Sequence, residues 1–370
     1  MMRNALQWAI LRIVPDHRKN WAQAMIAEMA VIERDREAVV FALSCLMACC
    51  HFRFETVIST GNRGSSMVRD RFTVLAFASG LTAGLIGLAY LLVSGAPLTM
   101  AIVNGGALIV GILLAPSLRL SARGTDPVVS ATALIGAFIL LGTAIFGYAI
   151  EDAKRWLLIG PFFIQTSLIL LPMIAICFAR VQNPRTTLAV GVAAFAMAAQ
   201  PDRAMAAMLF AAVAIVALMR ANRLTIGASI FCTMTFAATL VLPDRLPAVP
   251  FVDLILWSAF DISLWVGLAL WAGCLLLVCP ILMVPKHERT LANYVFASSW
   301  LTLILAAAMG AYPTPIVGYG ASAIIGYFLS LIFLQPKLRA PLAGGDVRAD
   351  SSDTDEALPP LQNSAPYLVL

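Results

Sequence analysis

Pro243-Asp244-Arg245-Leu246-Pro247-Ala248-Val249-Pro250-Phe251-Val252-Asp253 is a short polar loop in a chain that is otherwise overwhelmingly apolar. It follows the seventh of about ten apolar runs of membrane-spanning length. A carboxylate poised at a membrane face is costly unless it works or is paired, which makes Asp253 the most informative residue of the sequence. Two further polar islands interrupt the apolar pattern. They are Gln200-Pro201-Asp202 and Tyr312-Pro313-Thr314-Pro315-Ile316-Val317-Gly318-Tyr319-Gly320-Ala321-Ser322.

Of the 370 residues, 61% are apolar and only 12% charged, against roughly 25% charged in soluble domains. With a mean hydropathy of +0.88, the composition predicts an all-α polytopic membrane bundle of about ten transmembrane helices. The formal charge of +5 is the surplus expected of basic cytoplasmic loops and does not point to nucleic acid. The first apolar run, Ala5 to Val14, is broken by Arg12 and followed by Pro15-Asp16-His17-Arg18-Lys19 without a small-residue cleavage site. It does not read as a secretory signal. The seven cysteines form no CxxC pair and read as small buried hydrophobes. His17, His51 and His287 have no ligand spacing.

The expected spans are Phe72–Ser94, Pro97–Pro116, Pro127–Ile150, Trp156–Ala179, Thr187–Gln200, Arg203–Met219, Leu224–Leu242, Ile262–Val284, Leu291–Gly310 and Pro315–Leu334. Loops after even-numbered spans carry Arg119, Arg123, Arg180, Arg185, Arg220, Arg223, Lys286 and Arg289. Loops after odd-numbered spans hold Glu151, Asp152, Asp202, Asp244 and Asp253, with Lys154, Arg155, Arg203 and Arg245 as their bases. The positive-inside rule then puts both termini in the cytoplasm and all three polar islands on the outer face of a bacterial inner membrane.

Residues 1–70 read as a cytoplasmic helical prefix. Asp16 is placed to cap a helix over His17–Arg34 with Trp21, Met25, Met29 and Ile32 on one stripe. The prefix lies on membrane lipids or packs on itself; a docking helix for a partner is the functional alternative. Residues 71–335 form the transmembrane domain. Residues 336–370, with Asp346, Asp350, Asp353, Asp355 and Glu356, read as a disordered cytoplasmic tail.

Each island alone has a plain structural reading. Pro201-Asp202 suits a turn with a helix cap. Asp253 could cap the eighth helix, and Gly318-Tyr319-Gly320 could be a close-packed helix start. Taken together, their order and spacing resemble the SEDS family, the FtsW/RodA-like cell-wall polymerases. That family has ten spans and cytoplasmic termini. Its Gln-Pro-Asp motif opening the sixth span is matched by Gln200-Pro201-Asp202. Its functional aspartate before the eighth span follows a Leu-Pro, here Leu246-Pro247 and Asp253, with Asp261 and Gly267 further on. Its Pro-x-x-Ser-Tyr-Gly-Gly-Ser-like element is matched by Pro315-Ile316-Val317-Gly318-Tyr319-Gly320-Ala321-Ser322. There are departures. Phe251-Val252 stands for His-Thr, Arg203-Ala204 for Gly-Thr, and Gly318 and Ala321 for a serine and a glycine. The family's long outer loop is about eleven residues here.

The resemblance implies a lipid-linked glycosyltransferase of cell-wall biogenesis, acting on a lipid-linked saccharide at the outer face. Such transfer needs a base for the acceptor hydroxyl and cations for the diphosphate. Asp253 is the candidate catalytic base. Asp202, Arg203, Arg245, Asp261, Tyr319, Gly320 and Ser322 are candidate substrate-binding or structural residues. Arg203 and Arg245 are the nearest groups for phosphate. If residues 253–261 are helical, Asp253, Trp257 and Asp261 share one face, with Asp261 turned into the bundle or a cavity. A divalent cation would have to be held by Asp253 and Asp261; no cofactor is otherwise implied. Two alternatives stand beside the enzyme. One is an inactive SEDS-like scaffold or regulator for an envelope-biogenesis membrane protein, favoured by the short loop. The other is a small-solute or lipid transporter, which should show inverted repeats with paired broken helices.

Overall fold

The computed structural model describes residues 71–114, 125–151, 153–242 and 246–334, together with 18–32 and scattered positions between 10 and 49. The expected tail, Asp244, Arg245 and most of the prefix lie outside the described residues. In the prefix, α1 (Lys19–Val31) buries Ala22 and Met29. Arg18 holds its N-cap position; Asp16 is outside the described residues. These side chains cluster with Ile10, Val14, Ala38, Ala42, Cys45 and Cys49, and Ile109 packs against the cluster.

The membrane domain runs α2 (Arg71–Val93), α3 (Leu98–Leu114), α4 (Asp126–Phe146), a small sheet, α5 (Thr166–Arg180), α6 (Pro184–Ala199), α7 (Arg203–Met219) and α8 (Arg223–Val241). It continues with α9 (Ile255–Ile262), α10 (Leu264–Val278), the short α11 (Pro280–Met283), α12 (Leu291–Met309) and α13 (Ala321–Ile332). Among the described residues, four helices are long and apolar enough to cross a membrane: α2, α4, α8 and α12. Six more apolar helices are shorter. Their outward faces carry Ile135, Phe138, Leu188, Phe195, Met234 and Leu268, a lipid-compatible surface for a helical bundle. The core centres on a ring cluster in which Tyr327 of α13 lies 5.1 Å from Phe296 and 5.0 Å from Trp300 of α12.

Four expected spans differ from the structure, the third ending at Phe146 and not at Ile150 because Tyr148–Ile150 is strand. The fourth was expected from Trp156, but residues up to Gln165 are strand. β1 (Tyr148–Ile150), β2 (Ala153–Ile159) and β3 (Phe162–Gln165) form an antiparallel sheet in the order β1-β2-β3, with Trp156 opposite Gln165. Gly160 turns β2 into β3 with φ +58°, a conformation glycine adopts without a Cβ clash. What remains is α5, only 15 residues long. It is buried along nearly its whole length, and a helix apolar all round belongs inside a bundle. The eighth, expected over Ile262–Val284, is α10 followed by the short α11, and a separate helix, α9, precedes it; Ser263 lies between them, its hydroxyl accepting from the Val266 N–H at 3.2 Å to start α10. The tenth helix begins at Ala321, six residues after the expected start at Pro315.

Close helix contacts depend on two glycines. A Cβ on Gly326 would overlap the Leu168 carbonyl, and one on Gly87 would come within 2.7 Å of the Val317 carbonyl. Gly87 thereby lets the lead into α13 pack directly on α2.

Candidate functional site

The Gln-Pro-Asp island is the turn between α6 and α7. Asp202 is buried and caps α7, accepting from the Met205 N–H at 3.2 Å through Oδ1. This satisfies one of the donors that every helix start leaves open. Its Oδ2 accepts from Gln165 Nε2 at 3.3 Å and from the Ser167 hydroxyl at 3.5 Å. Arg155, buried on β2, donates to the Gln200 carbonyl at 3.1 Å and the Pro201 carbonyl at 2.7 Å. The sheet therefore anchors the turn from outside.

Gln165 also reaches the third island. Its backbone N–H donates to the Ser322 hydroxyl at 3.0 Å. Two residues back, Gly320 donates its N–H to Asn104 Oδ1 at 3.0 Å, and Asn104 Nδ2 donates to the Gly318 carbonyl at 2.9 Å. Asn104, buried in α3, thus replaces the helical bonds that Gly318–Gly320 lack. That explains why α13 starts late.

The third island is in turn joined to the loop of Asp253. Tyr319 donates its N–H to the Phe251 carbonyl at 2.8 Å, Thr314 donates to the Val252 carbonyl at 3.0 Å, and Asp253 forms an antiparallel bridge with Pro313. A Cβ on Gly318 would sit 3.3 Å from the Val252 carbonyl and 3.2 Å from Ile255. The glycine that stands in place of the family's serine therefore fits a crowded crossing. Hydrogen bonds from Gln165 to Asp202 and Ser322, and from Tyr319 to Phe251, thus join the three islands through the backbone of residues 319–322.

Asp253 itself is held by a local clasp. Its N–H donates to the Val249 carbonyl at 3.0 Å, and its Oδ2 accepts from the Val249 N–H at 2.8 Å. Among the described residues its Oδ1 is buried without a hydrogen-bond partner, as is the hydroxyl of neighbouring Thr314. Burial lifts the Asp253 carboxyl above its usual range, opposed by the hydrogen bond from Val249. Five non-glycine residues have positive φ among those described: Glu151, Pro201, Phe251, Leu254 and Ile316. Three of them, Pro201, Phe251 and Ile316, fall in the three islands, and Leu254 directly follows one. Phe251 (+64°) and Leu254 (+59°) flank Asp253, and each such conformation costs of order 1–3 kcal/mol.

Several expected roles need correction. Leu254 occupies the N-cap position of α9, so Asp253 stands before the helix and shares no helical face with Asp261. Asp261 is exposed near the far end of α9 and does not turn into the bundle. Trp257 instead fastens α9, donating from Nε1 to the Ala308 carbonyl at 2.8 Å. The two-carboxylate cation site is therefore not formed. Among the described residues, no group of three or more His, Cys, Asp or Glu side chains is arranged to hold a metal. Arg203, the expected phosphate contact, donates to the Thr239 and Leu242 carbonyls at 2.9 and 2.7 Å. Lys154 likewise donates to the Ile145 carbonyl at 2.9 Å. Arg203 and Lys154 each close a helix C-terminus, where cations are favoured.

Sequence reasoning missed Asn104, Gln165 and Arg155. Asn104 did carry a signal, as the lone amide in Leu98–Leu114. Arg155 looked like an ordinary loop base beside Lys154.

No protein-family model matches the chain, and no curated protein is recognisably similar to it in sequence. Solved structures are similar in fold. The rod shape determining protein RodA of Thermus thermophilus superposes with a TM-score of 0.51 at 17% identity, over 72% of this chain and 95% of that one. A chain from a peptidoglycan synthase complex that coordinates polymerization and crosslinking gives a TM-score of 0.49 at 17% identity, over 72% of this chain and 96% of that one. The apolar helices, their order and this likeness lead to one conclusion: the chain is a multi-pass membrane bundle with the fold of RodA, the SEDS fold.

Proposed function

We propose that the protein is a SEDS-like glycosyltransferase of the bacterial inner membrane, acting at the outer face on a lipid-linked saccharide in cell-wall synthesis, with Asp253 as general base. The observation that carries this reading is the buried, unpartnered Oδ1 of Asp253 on a strained loop. A general base needs an accepting oxygen free for the proton it removes and a pKa raised toward the working pH, and burial supplies the second. In the reaction, the acceptor hydroxyl passes its proton to Asp253 as its oxygen attacks the anomeric carbon. The bond to the lipid diphosphate breaks, and the diphosphate leaves. Tyr319, Gly320 and Ser322 act as positioning residues: the Tyr319 N–H holds the Phe251 carbonyl of the Asp253 loop, while Gly320 and Ser322 are tied to Asn104 and Gln165 and fix the lead into α13. Asp202 has a capping role.

A second reading has its own support. Arg203 and Lys154 donate to helix-end carbonyls, so neither is presented for a diphosphate. Under this reading the protein is an inactive scaffold or regulator that works through an envelope membrane protein. Reconstitution of the purified full-length protein with a lipid-linked disaccharide separates the two. The transferase reading expects polymer to form. Absence of product, with loss of cell shape on deletion that Asp253→Asn restores as well as the native protein does, supports the scaffold.

A further inference from the structure

An open groove of about 570 Å3 runs between α4, α6 and α8, and none of its lining residues belongs to the three polar islands. Its wall is apolar: Leu141 of α4, Leu188 and Phe195 of α6, and Phe231 of α8. Its floor includes Gly191 and Gly227. A Cβ built on either glycine meets nothing within 4 Å. Neither glycine is therefore needed for packing inside the protein, although each costs its helix about 1 kcal/mol relative to alanine. What they provide is depth on the lipid-facing side.

The groove has the length of one leaflet. From Pro184 to Phe195 along α6 the rise is about 17 Å, close to half of a ~30 Å hydrocarbon core. An extended hydrocarbon chain matches that length and the apolar wall.

The polar end of the groove is built twice from one pattern. Asn183 and Asn222 each cap a helix start, with Thr186 and Thr225 closing a reciprocal capping box. Each helix carries an arginine in its first turn, Arg185 in α6 and Arg223 in α8, and Arg220 lies in the loop between α7 and α8. All three arginines are exposed, and the described residues supply no ion pair to them. Asp126, the acid at this end of α4, interacts with Arg180. Two adjacent helix starts and these arginines make the mouth of the groove strongly positive.

We propose that this groove binds an anionic phospholipid, with one acyl chain lying between α4, α6 and α8 and the phosphate held by Arg185 and Arg223. The positive-inside orientation puts that headgroup in the cytoplasmic leaflet, where anionic lipid meets basic residues. The inference does not depend on transferase activity.

The test is lipid binding by the delipidated full-length protein, titrated with dioleoylphosphatidylglycerol or dioleoylphosphatidylcholine and read by native mass spectrometry. The glycerol lipid should bind roughly 25-fold more tightly. Arg185→Gln with Arg223→Gln should weaken it roughly 25-fold, about fivefold per arginine, and leave the choline lipid unchanged. Arg185→Lys with Arg223→Lys should keep the preference. Gly227→Leu fills the groove from an open position and should weaken both lipids. Equal affinity for the two lipids, a preference that survives the glutamine pair, or binding unaffected by Gly227→Leu would overturn the proposal. So would a photo-crosslinker at Phe195 that captures a protein helix in membranes and no lipid.

Discussion

Asp253 pairs with Pro313 across an antiparallel bridge, so the loop that precedes α9 is fixed to the lead into α13. Two more bonds tie the same segments, Thr314 to Val252 and Tyr319 to Phe251. A carboxylate on an eleven-residue loop thereby acquires a fixed place relative to a helix remote in sequence.

Asn104 holds the other side of that lead. Asn104→Leu keeps the number of side-chain heavy atoms but leaves the buried Gly318 carbonyl and the part-buried Gly320 N–H without that partner. Each unmet group costs about 1–3 kcal/mol. The variant should melt at lower temperature in detergent and lose most activity. A melting temperature equal to the parent's would show that the clasp contributes nothing.

Asp202→Ala removes the cap of α7 and the acceptor of Gln165 and Ser167. Loss of the cap alone is worth about 0.5–2 kcal/mol. The variant should be measurably less stable, whereas Asp202→Asn, which retains an acceptor for Met205, should recover part of that loss in thermal unfolding.

Glycine substitutions give a contrasted pair. Gly326→Ala drives a methyl group into the Leu168 backbone and should cost about 1–3 kcal/mol or prevent folding, since overpacking forces helices apart. Gly142→Ala points into open space and should be neutral or stabilise its helix by up to about 1 kcal/mol. Thermal unfolding of both in one detergent checks the sign of each.

Much of this architecture was legible because apolar runs bounded by charges mark membrane helices. The run Trp156–Ala179 misled because Trp156-Leu157-Leu158-Ile159 and Phe162-Phe163-Ile164 are as apolar as the helix that follows. The informative signal was Gly160-Pro161, a turn that splits the run. The turn at Gln200-Pro201-Asp202 was readable from local chemistry. The placement of Asp253 was not. A helix over 253–261 looked regular, but the left-handed backbone at Leu254 arises from bonds to residues 312–319 that no local pattern shows. The roles of Arg155 and Arg203 were hidden for the same reason, since their acceptors are carbonyls of segments remote in sequence.

The raised pKa of Asp253 has a sign that can be measured. Burial disfavours the charged form in the folded state, so the folded protein holds its proton to higher pH than the unfolded chain does. Stability is then greatest in acid, falls as pH rises through the ordinary carboxylate range, and carries the full cost above the folded pKa. Asp253→Asn should therefore be as stable as the parent in acid and more stable at neutral pH. If the parent transfers glycosyl groups, the acid limb of its kcat/KM profile should lie above the usual carboxylate range.

The most direct measurement compares Asp253→Asn with Asp261→Asn in the reconstituted polymer-forming reaction. Asp253→Asn removes a base while conserving size, and general acid–base groups contribute typically about 10²–10⁴-fold. The account predicts a loss of that order for Asp253→Asn with folding intact, and little change for the exposed Asp261→Asn. Polymer formed at the parent's rate by the Asp253→Asn protein would contradict it.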